Sequence, residues 1–305
     1  MSQSEPFIVI DNKQDTVPDP KTIVQECHSV RKTQSRVEKA IPGVALVDDS
    51  GKTYCWVKYG GAVTMGEART QDFVWRTLNT NADANSTHPA VRVPRVYLAF
   101  QLGYSGYIVM EHIEGETCDT SDSDVSLVAA AVEALIAIRS PTPVPGPIGG
   151  GTIFHRFFLH WESPVAYDSI AELQDHVNGI LAFVGRPLRV DFEPEVAEHG
   201  LPLCPCDMNP KNFIKDRSGQ IVAIDFGATC FLPTSFFAFA LLLGDHFTHL
   251  ISQKIEYPAS PQLNALLGAS YALVPFGKNT VGLKKSSRNA KIMSSSSSIK
   301  RDHDR

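Results

Sequence analysis

Between Leu203 and Gly227 the chain carries two carboxylates and an amide at suggestive spacing. Asp207 precedes Asn212 by five residues. Thirteen residues further on, after the apolar run Ile221–Ile224, stands Asp225, followed by Phe226 and Gly227. Asp216-Arg217-Ser218-Gly219 is a turn signal between two β-type runs, Phe213–Lys215 and Ile221–Ile224. If that turn closes a hairpin, Lys215 faces Gln220, and Asn212 lies opposite Ala223, two residues from Asp225. The amide and the second carboxylate then emerge at one end of the hairpin, with Asp207 in the loop before it. Such hard oxygen donors suit Mg²⁺, which takes one or two carboxylates together with substrate phosphates. Asp207 is placed equally well to accept a proton from an attacking hydroxyl. Phosphoryl transfer needs that division of labour: charge neutralised on the phosphates, and one carboxylate orienting the nucleophile.

These residues need elements to hold them. Val44–Asp48 and Tyr54–Tyr59 flank Asp48–Gly51 and predict one hairpin. Val96–Phe100 and Tyr107–Met110 flank Gly103–Gly106 and predict a second. Met65–Leu78 predicts a helix between them. On that helix Glu67, Gln71, Val74 and Leu78 share one face, so Glu67 sits on an apolar stripe. A carboxylate there needs a partner, and Lys58, ending the run Tyr54–Lys58, is the nearest candidate. An exposed Lys58 and a Glu67 that only favours the helix dipole is the plainer alternative. Val125–Ile138, Tyr167–Val184 and Phe236–Leu250 predict further helices. The order, strands with one helix and then mostly helices with one late hairpin, gives an α+β chain with two lobes.

Asp207-x-x-x-x-Asn212 followed by Ile224-Asp225-Phe226-Gly227 resembles the catalytic loop and metal motif of the protein-kinase-like superfamily. It is most similar to the aminoglycoside phosphotransferase-like branch, especially divergent forms found in fungi. The resemblance covers roughly residues 40–275 and implies a bilobal fold. It further implies that ATP and Mg²⁺ are cofactors, with Asp207 as catalytic base and Asn212 and Asp225 as metal ligands. Lys58 would then lie on the ATP phosphates with Glu67 orienting it. Tyr107–Gly115 resembles the hinge, where the backbone at Met110, Glu111 and Ile113 would meet an adenine edge. The chain departs from that pattern in places. Pro205 stands where the family has a histidine that braces the catalytic loop, and Cys206 takes the small residue's place. No G-x-G-x-x-G occupies the first hairpin, and only nine residues separate Lys58 from Glu67. No A-P-E tripeptide follows, so a small-molecule hydroxyl suits the resemblance better than a protein substrate. A catalytically inactive scaffold that binds a nucleotide or a partner is the alternative.

Composition narrows the context. The 305 residues carry a net charge of −5, with 43% hydrophobic and 20% charged residues. Excess positive charge for general nucleic-acid binding is therefore missing. Charge is uneven: residues 277–305 hold eight basic and two acidic residues, net +6, leaving −11 for the rest. Such a Lys-, Ser- and Arg-rich tail is expected to be disordered and available to acidic partners. Six dispersed cysteines and a start, Met1–Pro6, without signal character predict reduced thiols in the cytoplasm. No apolar run approaches the length of a membrane span. The expected organisation is an extension over 1–40, an N-lobe over 41–115, a C-lobe with catalytic loop and metal hairpin over 116–276, and the tail over 277–305. Gly61–Gly66 has Walker-like glycine spacing, but Glu67 stands where lysine is required. Cys204-Pro205-Cys206 has no second cysteine pair to complete a zinc site.

Overall fold

The computed structural model describes residues 5–12, 16–34, 43–80 and 90–284. Its elements divide into two compact units, Met1–Asp119 with Pro210–Gly227, and Thr120–Asn209 with Ala228–Arg305. The first is β-rich and the second mainly helical, an α+β architecture as expected. In chain order the first segment of unit one holds β1 (Phe7–Asp11), α1 (Pro20–Thr33), β2 (Val44–Val47), β3 (Thr53–Gly60), α2 (Met65–Thr80), β4 (Val96–Leu102), β5 (Ser105–Met110) and β6 (Gly115–Thr117). Unit two follows with α3 (Asp122–Ile136), β7 (Thr152–Phe154), β8 (Glu162–Ala166), α4 (Ile170–Phe183), α5 (Glu193–His199) and β9 (Leu203–Pro205). The chain returns to unit one for β10 (Phe213–Asp216) and β11 (Ile221–Ala223). It ends in unit two with β12 (Thr229–Phe231), α6 (Thr234–Leu242), α7 (His246–Ser252) and α8 (Leu263–Leu273).

Unit one contains a five-stranded sheet in the order β1-β4-β5-β3-β2, with its pairs antiparallel. Alternation along the central strand sorts its side chains onto two faces. Tyr107 and Val109 join Ile23 and Cys27 of α1 with Leu46, Val57 and Phe100 in one core. Ile108 and Met110 join Ala68 of α2 with Val96 and Ala99 in the other. On β3, Cys55 and Val57 belong to the α1 face, so Lys58 is turned to the α2 face that carries Glu67. The segment expected as a loose extension before residue 41 is thus partly built into the sheet. β1 pairs with β4, and Pro20 starts α1 where Asp19 caps it by accepting from the Lys21 and Thr22 N–H groups. Pro at the first helical position and Asp before it are favourable start residues.

The late hairpin also belongs to unit one rather than to the second lobe. β10 pairs with β6 as well as β11, and Arg92 hydrogen-bonds across to Ile221 and Ala223. Its register differs by one from expectation: Lys215 faces Ile221, and the Asp216 N–H donates to the Gln220 carbonyl. The cause is a three-residue loop that places Gly219 at φ +84°, a conformation glycine adopts freely.

In unit two, Phe157, Phe158, Phe192, Phe231, Phe236, Phe237 and Phe239 are fully buried. The helix expected over Phe236–Leu250 is two helices. Asp245 caps α7 by accepting from the Thr248 N–H and hydroxyl. Residues 278–284, expected in the tail, form a strap on this unit; residues 285–305 lie outside the described residues. Asn279 accepts from the Leu159 N–H at 2.9 Å and donates to the carbonyls of Leu159 and Glu162. Val281 is buried, and its carbonyl accepts from His176 Nε2 at 2.9 Å. Gly282 lies against α4, where a Cβ on Gly179 would stand 2.2 Å from the Gly282 carbonyl oxygen. Gly→Ala inside a helix ordinarily stabilises by about 1 kcal/mol. Here the sign is expected to reverse: Gly179→Ala should lower the melting temperature by displacing the strap, and a thermal melt beside wild type reads it. Among the described residues no helix is long and apolar enough to cross a membrane.

Candidate active site

Lys58, Glu67 and Asp225, 167 residues apart at their extremes, meet in unit one. Lys58 Nζ donates to Glu67 Oε1 at 2.5 Å and to Asp225 Oδ1 at 2.7 Å. The short link from β3 to α2 makes this possible. Gly60 has φ +140°, the Val63 N–H returns to the Gly60 carbonyl, and Thr64 Oγ1 accepts from the Glu67 N–H. Nine residues are therefore enough to bring α2 back over Lys58. Val63 also packs where a Cβ on Gly106 would stand 2.2 Å from its carbonyl oxygen, so β5 needs glycine at that place.

Burial is graded along the constellation. The Glu67 side chain is 2% exposed, that of Lys58 12% and that of Asp225 36%. Burial alone would lower the Lys58 pKa, but the two carboxylates outweigh it and hold the ammonium above its ordinary value. Burial pushes the Glu67 carboxyl up, and the charge of Lys58 opposes that without cancelling it. Asp225 sits at φ +60°, sparsely populated for a residue with a Cβ, and strained positions of this kind cluster at functional sites. Its Oδ1 also accepts from the Gly227 N–H at 3.2 Å. A Cβ on Gly227 would lie 3.2 Å from Asp225 Oδ1, 3.4 Å from Lys58 Nζ and 3.5 Å from Glu67 Oε2. The glycine keeps that side of the charged cluster clear.

Asn212 ends a 3-10 turn, Pro210–Asn212, and its carbonyl accepts from the Ile224 N–H at 2.8 Å. The one-residue register change therefore puts Asn212 opposite Ile224, beside Asp225 rather than two residues away. Carboxylate and amide oxygen are a donor set that fits Mg²⁺ completed by water and phosphate. Among the described residues no three His, Cys, Asp or Glu converge as a metal cage of their own.

The hinge residues fall into two kinds. Met110 ends β5 in the core, paired with Trp56 and Val96. Glu111 is an anchor: its N–H donates to the Arg95 carbonyl, and its carboxylate accepts from Arg92 at 2.7 Å and from the Arg95 N–H. Arg92 also donates to Asp216, tying this segment to the late hairpin. Ile113 lies outside regular structure, beside a depression of about 350 Å³ that Arg92, Glu111, Glu114 and Asp216 also line. Asp207 belongs to unit two. It is exposed and directly follows Cys206, whose N–H donates to the Ala228 carbonyl where β9 meets β12. Sequence reasoning missed Arg92, Thr64 and the role of Gly227. Only Gly227 carried a signal, since it closes the Asp-Phe-Gly run.

No protein-family model and no curated protein matches the chain. Solved structures do. A thermostable variant of aminoglycoside phosphotransferase APH(4)-Ia, in ternary complex with AMP-PNP and hygromycin B, is 18% identical at a TM-score of 0.43, covering 75% of this chain and 83% of that one. An aminoglycoside phosphotransferase from Alicyclobacillus acidocaldarius is 14% identical at a TM-score of 0.38, covering 86% and 84%. Choline kinase LicA from Streptococcus pneumoniae is 14% identical at a TM-score of 0.37, covering 89% and 99%. At this distance the likeness says nothing of individual residues.

Proposed function

We propose that the chain is an ATP- and Mg²⁺-dependent phosphotransferase acting on a hydroxyl group of a small molecule. The observation that carries the reading is the contact of Lys58 with both Glu67 and Asp225. A buried lysine held by one deeply buried carboxylate and by a second, more open one is a charge placed for an anionic ligand. Two of its three N–H donors are used this way, and the third is available to a phosphate oxygen. Glu67 fixes the direction of the ammonium. The 111–114 segment, with Met110 before it, would hold the adenine edge. Asp225 and Asn212 would hold Mg²⁺, which when bound neutralises charge on the phosphates. Asp207 takes the proton as the acceptor oxygen bonds to the γ-phosphorus and the bond from that phosphorus to the β-bridging oxygen breaks, releasing ADP. All six cysteines are free and buried, which suits the reducing cytoplasm to which we assign the chain.

Asp225→Asn is expected to remove the Mg²⁺-dependent part of ATP binding, read as loss of the thermal shift that Mg²⁺-ATP gives wild type. Asp207→Asn should leave that shift intact and lower phosphate transfer by at least about 100-fold. A labelled-ATP screen over small alcohols, sugars and amino-alcohols reads transfer directly. If wild type shows neither a Mg²⁺-ATP shift nor any hydrolysis, the proposal fails.

A further inference from the structure

The histidine that would brace the Asp207 loop is replaced by Pro205, which has no N–H to give. Within unit two another side chain reaches the main chain beside Asp207. Arg156 donates through Nη2 to the Cys206 carbonyl at 2.8 Å and through Nη1 to the Leu243 carbonyl at 2.5 Å, while its backbone N–H meets Cys206 Sγ at 3.3 Å. One residue thus grips both the main chain and the side chain of the position next to Asp207. The Leu243 carbonyl lies at the C-terminal end of α6, where a cation is favoured.

Arg156 is itself held rigidly. The loop carrying it is closed by the His155 N–H on the Trp161 carbonyl at 2.7 Å. His155 is fully buried and neutral: its Nδ1 accepts from the Phe157 N–H, and its Nε2 donates to the Phe236 carbonyl. Burial first, and the charge of Arg156 second, depress its pKa to about 3. His160 and Trp161 both adopt positive φ, 53° and 66°, and Asn279 secures the turn through Leu159 and Glu162. That backbone strain aims the Trp161 ring at the guanidinium, with 5.0 Å from Arg156 Cζ to the ring centroid. Arg156 Nε is buried and has no partner, so the side chain keeps this pose at the expense of one donor.

We propose that Arg156 is the positioning residue for Asp207, a guanidinium fork in place of the absent imidazole. The proposal rests on Asp207 being the base. A fork is required because two carbonyls on different elements must be reached by donors of one planar group, which an ammonium on a flexible stem does not supply.

The test uses the full chain and Mg²⁺-ATP, with water as acceptor. Arg156→Ala is expected to lower the kcat of hydrolysis by about 100-fold. KM for ATP and the Mg²⁺-ATP thermal shift, which depend on unit one, should stay within about twofold. Millimolar guanidinium should restore part of the rate in Arg156→Ala and none in wild type; a variant that had merely lost stability would gain nothing from it. Arg156→Lys keeps the charge and is expected to lose about tenfold, so it carries the test if Arg156→Ala does not fold. Wild-type kcat in either variant overturns the proposal and leaves the phosphotransferase reading standing. If wild type itself shows neither hydrolysis nor a Mg²⁺-ATP shift, that reading falls; wherever hydrolysis is absent, amide exchange decides the positioning role. Exchange at Cys206–Asn209 should be faster in Arg156→Ala and slowed again by guanidinium; unchanged exchange overturns it.

Discussion

Lys58→Met is expected to lower the unfolding free energy by about 3–5 kcal/mol at neutral pH. The methionine keeps the stem's volume, so packing is little altered. What changes is Glu67, a carboxylate 2% exposed that loses the cation 2.5 Å away. Asp225 contributes little to the loss because it is 36% exposed and screened by water. The deficit should depend on pH in a definite direction. With Lys58 gone, nothing opposes the burial that already raises the Glu67 pKa above 4.5. A carboxyl whose folded pKa is raised gives stability that is fully present below its unfolded pKa and is lost as pH rises through the folded one. The variant should therefore approach wild-type stability near pH 4 and fall away towards pH 8. Urea unfolding at the two pH values measures this. Lys58→Met/Glu67→Leu should recover most of the loss, since an apolar pair of similar size needs no partner. Neither variant should bind Mg²⁺-ATP. A double variant as unstable as the single one would show that the buried pair is not the cause.

Ending the chain at Gly277 instead of Lys284 is expected to cost about 4–6 kcal/mol, and roughly 10 °C or more in melting temperature. Three hydrogen bonds of Asn279 disappear at about 1 kcal/mol each, with about 1.5 kcal/mol for the burial of Val281. His176 Nε2, buried and donating to the Val281 carbonyl, would be left without its acceptor. The strap is thus part of the fold, whereas its composition had placed it in a disordered tail. Comparing chains that end at 277 and at 284 isolates its contribution. Equal melting temperatures would refute it.

The legible parts of the chain were those whose signal is local. Asp207, Asn212 and Asp225 stand in one 19-residue stretch, and helical periodicity put Glu67 on an apolar face, while its pairing with Lys58 rests on the resemblance as well. Asp19-Pro20 is a readable helix start and Gly244-Asp245 a readable break, but the polar stretch 1–40 predicts an extension and the apolar run from Phe236 predicts one helix. The hairpin register was missed because the loop has three residues, and a turn signal does not distinguish three from four. Arg156 was beyond reach for a different reason. It acts on a carbonyl 50 residues away, and a main-chain acceptor leaves no trace in residue type.

The discontinuity of unit one bears on how the protein is made. Its five-stranded sheet is complete once residue 119 is synthesised, but β10 and β11, with Asn212 and Asp225, arrive only with the segment Pro210–Gly227. At ribosomal rates that is a delay of roughly 5–20 s. During it Lys58 has Glu67 but not Asp225, and Arg92 has Glu111 but not Asp216. A nascent chain paused between the two segments would carry the lysine half of the proposed phosphate site without the two residues proposed to hold the metal. An excised 1–119 fragment would be the lasting form of that state, with Lys58 and Glu67 but neither Asn212 nor Asp225.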